Sequence, residues 1–598
     1  MNTHTATMQP PAPNASTRFS SRLLLIFALA VALPATPYLF GMEGYVLNIV
    51  MQAVTYGIAV LGMTIVLGYT GQINLAQGAF FGLGAYAVAL GTMDYGLGFW
   101  SMLLVGIATA ALAGIVIGLT TLRLSGHYLA MITISCQQIF DLVLVNWVPV
   151  THGPDGISGI PRPSLFGYQL TNDKAYLALC IAVLCLAVLL VWRLPKTRLG
   201  RAMQAVRENQ LAAEVTGVKT LAVKVVAFTL CAALAAIGGA LYAAGFAYIS
   251  PDNFNFKFSI ELMTMALLGG AQSPFGSTIG TVLLILLPEW LRFLKEIYMA
   301  AYGVAVILMM VFMPEGIWGI IKSLSNRLRP VRVTDAMAPA PLALDISLSD
   351  SAPVLELDGL QKHFGGVKAV DGVSICVTRG QIHALIGPNG SGKTTTLNVL
   401  NGIYRPSGGR ILVDGRDVTA LAPNERAAHG VGRTFQNIRL FPSMTVLENV
   451  MIGGQRRNNP IGPGEAALRE RAMSALAFVD MAGKADVVVK NLPYGHQRLV
   501  EIARALAGHP KLLLLDEPAA GLNQTEKVEL AGLLKRLRGH GITIFLIEHD
   551  MGLIVQVSDT ISVLNFGRKI AEGKPADVLR HPDVIAAYLG KDAHACTA

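Results

Sequence analysis

Gly387 to Thr394 reads Gly-Pro-Asn-Gly-Ser-Gly-Lys-Thr, with a strand-like run before it (Gln381 to Ile386) and a helix-like run after it (Thr395 to Leu400). This spacing fits a phosphate-binding loop, in which glycines let the backbone curl so that successive N–H groups point inward at a triphosphate. Lys393 then reaches the terminal phosphates and Thr394 holds Mg²⁺. A glycine-rich turn of no chemical purpose shows the same spacing, so the reading rests on partners elsewhere in the chain. Leu512-Leu-Leu-Leu-Asp516-Glu517-Pro518 supplies one: a buried strand ending in two carboxylates. Placed next to the strand of the phosphate loop, Asp516 is expected to hold Mg²⁺ through water and Glu517 to polarise the attacking water.

The rest of the chain is of a different kind. Of its 598 residues 53% are hydrophobic and 14% charged, and the mean hydropathy is +0.51, whereas soluble domains carry about 25% charged residues. Apolar runs of the length that crosses a hydrocarbon core, about 20 residues, recur before residue 320. Candidate spans are Leu23 to Phe40, Val46 to Leu67, Ile73 to Leu90, Phe99 to Leu122, Tyr128 to Val148, Tyr176 to Trp192, Val223 to Tyr248, a short Phe258 to Leu268, Ile279 to Leu291, and Tyr298 to Phe312. The first is read as a retained helix rather than a cleaved leader. Ten crossings place Arg18, Arg22, Arg123, the cluster Arg193, Lys196, Arg198, Arg201 and Arg207, and the exit residues Lys322, Arg327 and Arg329 on one side, the cytoplasmic one by the positive-inside rule. The net charge of +9 is ascribed to these loops, and no nucleic acid is expected. The six cysteines show no CxxC pair and read as small hydrophobes.

The expected organisation is therefore multi-domain. An α-helical polytopic membrane domain of about ten spans (1–322) is joined by a Pro/Ala-rich linker (323–353) to an α/β phosphate-loop domain (354–598). Asp141, inside an apolar run, costs about 2.5–3.5 kcal/mol if it faces lipid at the centre, so it is expected to face the bundle or to lie near a helix end. Gln72, Asn74 and Gln77 lie in a glycine-crowded stretch where close helix packing and solute contact are both open readings.

Residues 354–590 resemble the nucleotide-binding domain of ABC transporters. The resemblance implies ATP with Mg²⁺ as cofactors, held by Gly387, Asn389, Gly390, Ser391, Gly392, Lys393, Thr394 and Thr395, with Phe364 stacking on adenine. It implies that Gln436, in Arg433-Thr-Phe-Gln436, senses Mg²⁺ together with Thr394 and Asp516 and touches the permease, and that His549 is a switch residue beside the catalytic Glu517. Leu492-Pro-Tyr-Gly495-His-Gln-Arg498 matches the signature loop, whose Tyr494, Gly495 and His496 face the γ-phosphate of a second ATPase domain. Departures from the family pattern lie in two loops: in the signature loop Pro493 replaces the usual serine and His496 stands where glutamine is more typical, and Asn523 replaces a common aspartate.

Residues 45–320 resemble the permeases for branched-chain amino acids and urea, through Asn74-Leu-Ala-Gln77-Gly-Ala-Phe-Phe-Gly-Leu-Gly-Ala-Tyr86, Gly153-Pro-Asp-Gly-Ile-Ser-Gly159-Ile-Pro161 and Tyr302-Gly-Val-Ala. The two resemblances together imply an ATP-driven importer of the bacterial inner membrane. A second ATPase domain is required, in a homodimer or a heteromer, and the family pattern adds a second permease, a periplasmic solute-binding protein and surrounding lipid. The stretch Leu199 to Gly217 is expected to be the coupling element docked on the ATPase near Gln436, with an interfacial helix on lipid as the other reading. The rival functions are an ABC exporter half and a membrane-tethered ATPase without transport.

Overall fold

A computed structural model describes residues 36 and 44–589, apart from 121–126, 166, 292, 294–296, 314, 329–352 and 456–463. The chain divides into two compact units, one formed by Met1–Pro195 with Lys224–Pro330 and the other by Lys196–Val223 with Val331–Ala598.

In the first unit, nine of the ten expected spans fall on described residues, and each holds a helix. These are α1 (Gly44–Met63), α2 (Gln77–Met93), α3 (Phe99–Thr120), α4 (His127–Asn146), α5 (Asp173–Arg193), then, after the two short helices α6 (Arg198–Glu208) and α7 (Gln210–Val215) that belong to the second unit, α8 (Thr220–Phe246), α9 (Phe256–Gly269), α10 (Pro274–Leu291) and α11 (Tyr298–Phe312). Among the described residues, six stretches are long and apolar enough to cross a membrane by themselves: Gly44–Tyr69, Phe99–Leu119, Tyr128–Asn146, Asp173–Lys196, Thr220–Phe246 and Pro274–Leu291. Helices α2, α9 and α11 are shorter, at 17, 14 and 15 residues. The tenth position, Leu23 to Phe40, lies almost wholly outside the described residues, as does most of the expected linker. A last helix, α12 (Gly316–Leu328), runs past Ser323, where the linker was expected to begin.

Between α1 and α2 the helix first widens into a π turn (Thr64–Tyr69) and then opens into non-helical backbone over 71–76. Unpaired peptide groups are costly inside a bilayer. Here side chains meet several of them. Thr133 Oγ1 accepts from Leu75 N (3.1 Å), Asn74 Oδ1 from Ala76 N (3.0 Å), Ser259 Oγ from Gly78 N (2.8 Å) and Gln137 Oε1 from Ala79 N (2.8 Å). Gln77 Nε2 donates to Ala59 O at 2.7 Å, and Asn74 Nδ2 to Gln77 Oε1 at 2.9 Å. Asn74 and Gln77 thus hold the break together, while both amide atoms of the buried Gln72 have no hydrogen-bond partner. Asp141 is half-buried and accepts from Gln137 Nε2 at 2.8 Å, so it is paired with a polar neighbour rather than left to lipid. Helices α2 and α8 cross closely at small residues: a Cβ on Gly239 would sit 1.9 Å from Phe81 O.

The second unit is an α/β domain of two sheets. A four-stranded antiparallel sheet has the order β2-β1-β4-β5, from β1 (Pro353–Phe364), β2 (Val367–Thr378), β4 (Gly408–Val413) and β5 (Arg416–Asp417). The larger sheet contains β3 (Ile382–Ile386), β6 (Val431–Arg433), β7 (Leu512–Asp516), β8 (Thr543–Ile547), β9 (Thr560–Asn565) and β10 (Arg568–Gly573), in the order β6-β7-β8-β3-β9-β10. All its pairings are parallel except the last. Strands β3, β7 and β8 are buried at every residue, as continuous apolar runs with cover on both faces must be.

One expectation is corrected by this topology. The acidic strand β7 is not next to the phosphate-loop strand β3, because β8 lies between them. Strand order is set by crossover connections, which leave no local signal. The consequence for chemistry is small: in a parallel sheet all the strands open at one carboxyl edge, where ligands bind.

The segment Arg198–Val215 packs with the ATPase domain. Thr197 caps α6 and Asn209 caps α7 by accepting from Gly200 N (3.2 Å) and Ala212 N (2.9 Å). The apolar residues Ala202, Met203, Ala205 and Val206 are buried, α6 lies against α15 (Val446–Gly453), and α7 against α14 (Pro423–Ala428). This face is covered by protein and not open to lipid. Its polar contacts include Ser443, beyond Gln436 in the same loop, and Glu465.

Candidate ATP site

At the end of β3 the chain makes the glycine-rich turn and enters α13 (Lys393–Leu400). Gly392 caps that helix with φ +99°, and a Cβ there would meet Ala369 O at 2.3 Å, so only glycine fits. Lys393 Nζ donates to Gly387 O (2.8 Å) and Pro388 O (2.9 Å), curling over the loop. Burial lowers the pKa of Lys393, opposed by the nearby carboxylates of Glu517 and Asp516. The loop lysine and the acidic pair from β7 therefore share one site despite the intervening strand. Asn389, Gly390 and Thr394 are exposed, Gly387 and Thr395 are half-buried, and Ser391 is buried.

The three residues expected to act in catalysis converge on one carboxylate. Gln436 Nε2 donates to Glu517 Oε2 at 2.9 Å, and His549 Nδ1 lies 3.5 Å from the same oxygen. Glu517 has φ +45°, an uncommon conformation for a residue with a side chain, and its N–H is tied to Ile547 O at 2.8 Å. Asp516 is buried; burial raises its pKa, and Arg433, 3.4 Å away, opposes the rise. Its Oδ1 is buried with no hydrogen-bond partner.

Helix α17 (Tyr494–Leu506) opens at Pro493, which has no capping side chain. The N–H groups of its first turn have no acceptor within the helix, which suits them to an anion. Tyr494 is exposed, Gly495 is half-buried against Glu526, and His496 lies with Nδ1 3.0 Å from Lys484 Nζ. Asn523 does what an aspartate would do at a helix start: its Oδ1 accepts from Glu526 N at 2.9 Å and caps α18 (Gln524–Gly539). Phe364 is 43% exposed, with Lys362 Nζ 4.9 Å above its ring and the Tyr404 ring centroid 5.3 Å away at a near-perpendicular angle.

Two supports were not assigned by sequence reasoning. Arg498 Nη2 donates to Gln436 O (2.8 Å) and its Nη1 to Glu501 Oε2 (2.9 Å), while Glu501 Oε1 accepts from Arg439 N (3.2 Å) and Arg504 Nη1 donates to Arg439 O (2.6 Å). These fully buried charges fix the glutamine loop to the signature helix. Glu548 Oε1 accepts from Ala519 N at 2.8 Å and its Oε2 from His549 N at 2.9 Å, joining the loop after Glu517 to His549. The signal was present as charges three apart in Arg498, Glu501 and Arg504, but such spacing on an amphipathic helix ordinarily marks a solvated face.

Together the loop, the carboxylates and the signature helix define a phosphate-loop ATPase domain, carried on the same chain as a bundle of apolar helices. Residues 45–314 match the family described as "Branched-chain amino acid transport system / permease component", residues 370–520 "ABC transporter", and residues 568–594 "Branched-chain amino acid ATP-binding cassette transporter". The chain is 43% identical over 253 residues to the high-affinity branched-chain amino acid transport ATP-binding protein BraF of Pseudomonas aeruginosa, a match covering 40% of this chain and 99% of BraF. It is 35% identical over 318 residues to the permease protein LivM of Salmonella typhimurium, covering 49% of this chain and 74% of LivM. A crystal structure of a nucleotide-free ATP-binding cassette from an ABC transporter aligns with 40% of this chain and 100% of its own at 34% identity, with a TM-score of 0.38.

The chain belongs to the branched-chain amino acid ABC transporter family, with permease and ATP-binding component fused in one polypeptide. It is a membrane-embedded protein whose cytoplasmic ABC domain binds ATP and couples its hydrolysis to transport. An exporter half is not favoured by these relatives.

Proposed function

We propose that this chain imports a branched-chain or related amino acid across the bacterial inner membrane as half of a larger assembly. The observation that carries the reading is the Glu517 carboxylate, held by Gln436 and approached by His549, in the same unit as the docked α6–α7 segment. The residues fit Mg²⁺ and ATP: the Asp516 Oδ1 atom left without a partner suits a metal-bound water, Thr394 stands exposed at the loop, and Gly387 to Thr395 cradle phosphate. Phe364 offers adenine its open face. Bound Mg²⁺ would neutralise charge on the phosphates. Glu517 orients and deprotonates the attacking water, and Gln436 relays the state of that carboxylate to the loop on which α6 rests. Tyr494, Gly495 and His496 complete the site of a second ATPase domain. A second permease and a solute-binding protein supply the remaining half and the cargo.

Uptake of labelled leucine into vesicles containing the assembly, with binding protein outside and ATP inside, tests this. Uptake that Lys393→Ala abolishes is the expected result. ATP hydrolysis without flux for any tested amino acid or amide would overturn it in favour of a tethered ATPase.

A further inference from the structure

The cytoplasmic segment Arg198–Val215 meets the ATPase domain through an ion pair whose two ends differ. Arg201 donates from Nη1 to Glu465 Oε1 (2.6 Å) and from Nη2 to Glu465 Oε2 (2.9 Å), the two-pronged geometry that gives an arginine–carboxylate pair its selectivity. The arginine side chain is 4% exposed and the glutamate side chain 51%. Glu465 is the first residue of α16 (Glu465–Phe478), where a carboxylate is also favoured by the helix dipole. A second contact lies two turns further along the same helix, where Glu208 Oε2 accepts from Ser443 N (3.1 Å) and Arg207 Nη2 donates to Ser443 Oγ (3.1 Å).

The asymmetry decides what each side tolerates. An ATPase domain lacking an acid at this place would leave Arg201 charged, buried and without its carboxylate, which is strongly unfavourable. A permease loop lacking the arginine would leave Glu465 half in water, which costs little. We propose that Arg201 is a selectivity element by which this chain's loop accepts only an ATPase domain bearing an acid at the start of α16, and that it engages its own domain in cis. The ATPase domain itself is permissive, and its faithfulness to this loop comes from the covalent link, which raises the loop's effective concentration. A second permease in the assembly must then dock on the second ATPase subunit, because the groove formed by α14, α15 and Glu465 is already occupied. This inference rests on the transporter reading only for its flux measurement.

The test uses the full-length chain in native membranes with its partner subunits. First, with the native cysteines replaced, Glu208→Cys and Ser443→Cys are placed on one chain or on two co-expressed, differently tagged chains, and joined with a short bifunctional thiol reagent. Linkage within one chain and none between tagged chains is expected; an intertag dimer overturns cis docking. This readout holds even if the import reading fails. Second, ATP-driven uptake is compared for Glu465→Ala, Arg201→Met and the double variant, with nucleotide binding as the check on folding. Glu465→Ala is expected to lose at least about thirtyfold in uptake, Arg201→Met about threefold or less, and the double variant to recover to the Arg201→Met level. A double variant no better than Glu465→Ala, or an Arg201→Met loss as large as that of Glu465→Ala, overturns the selectivity role.

Discussion

Glu517 combines a strained backbone with a carboxylate held from two sides, and that combination separates binding from turnover. Glu517→Gln keeps the shape and the contact with Gln436 but removes the proposed base, so hydrolysis should fall about 10²–10⁴-fold while ATP affinity stays near the wild-type value. Single-turnover hydrolysis and equilibrium nucleotide binding on the same preparation check both halves. His383 offers a separate test on stability. It is buried in β3, stacked on Phe545 at 5.6 Å with its Nε2 2.9 Å from Ser562 Oγ, and burial pushes its pKa down from 6.5 to about 4. The unfolded chain therefore binds a proton that the folded domain refuses. Stability from this group is fully present above pH 6.5 and is lost as pH falls through about 4, by about 3 kcal/mol in all. His383→Phe should flatten that part of the melting-temperature profile between pH 6.5 and 4.

At the scale of elements, legibility depended on whether the chemistry was contiguous. The phosphate loop, the Asp516-Glu517 strand end and the helix start at Tyr494 each lie within a few residues, so each could be read and placed. The order β7-β8-β3 could not, because nothing local records which strand inserts between two others. The polar break after α1 was visible as Gln72, Asn74 and Gln77, but its partners Thr133, Gln137 and Ser259 come from other helices, and only folding brings them together. Gln137 is the hub: it accepts from Ala79 N and Ser259 Oγ (2.9 Å) and donates to Phe254 O (2.7 Å) and Asp141. Gln137→Leu strands several buried groups at about 1–3 kcal/mol each, and thermal unfolding in detergent should show a clear drop. Gly239→Val should be worse, since the added carbons overlap the Phe81 carbonyl on the neighbouring helix.

For the whole molecule, the boundary between units does not follow the order of the chain. Sequence composition separates an apolar first part from a soluble second part, yet Lys196–Val223, embedded among the apolar spans, groups with the ATPase domain. The amphipathic pattern at Leu199 to Gly217 announced a docking helix but not its partners, since Ser443 and Glu465 lie far along the chain. A chain broken between residues 329 and 352 should therefore yield two pieces that still co-purify through this segment, and Glu465→Ala should reduce the yield of the pair severalfold in a pull-down on either tag.

The buried face of α6 also has a history during synthesis. Ala202, Met203 and Val206 leave the ribosome long before Val446–Gly453 and Glu465, the surfaces that will cover them, have been made. At roughly 5–20 residues per second, the interval from this loop to the end of the cassette lasts on the order of twenty to eighty seconds. Throughout that time the nascent chain displays a sticky patch beside the translocation machinery, so a chaperone or the bilayer surface must shelter it, and slowing elongation downstream should lower the yield of assembled protein.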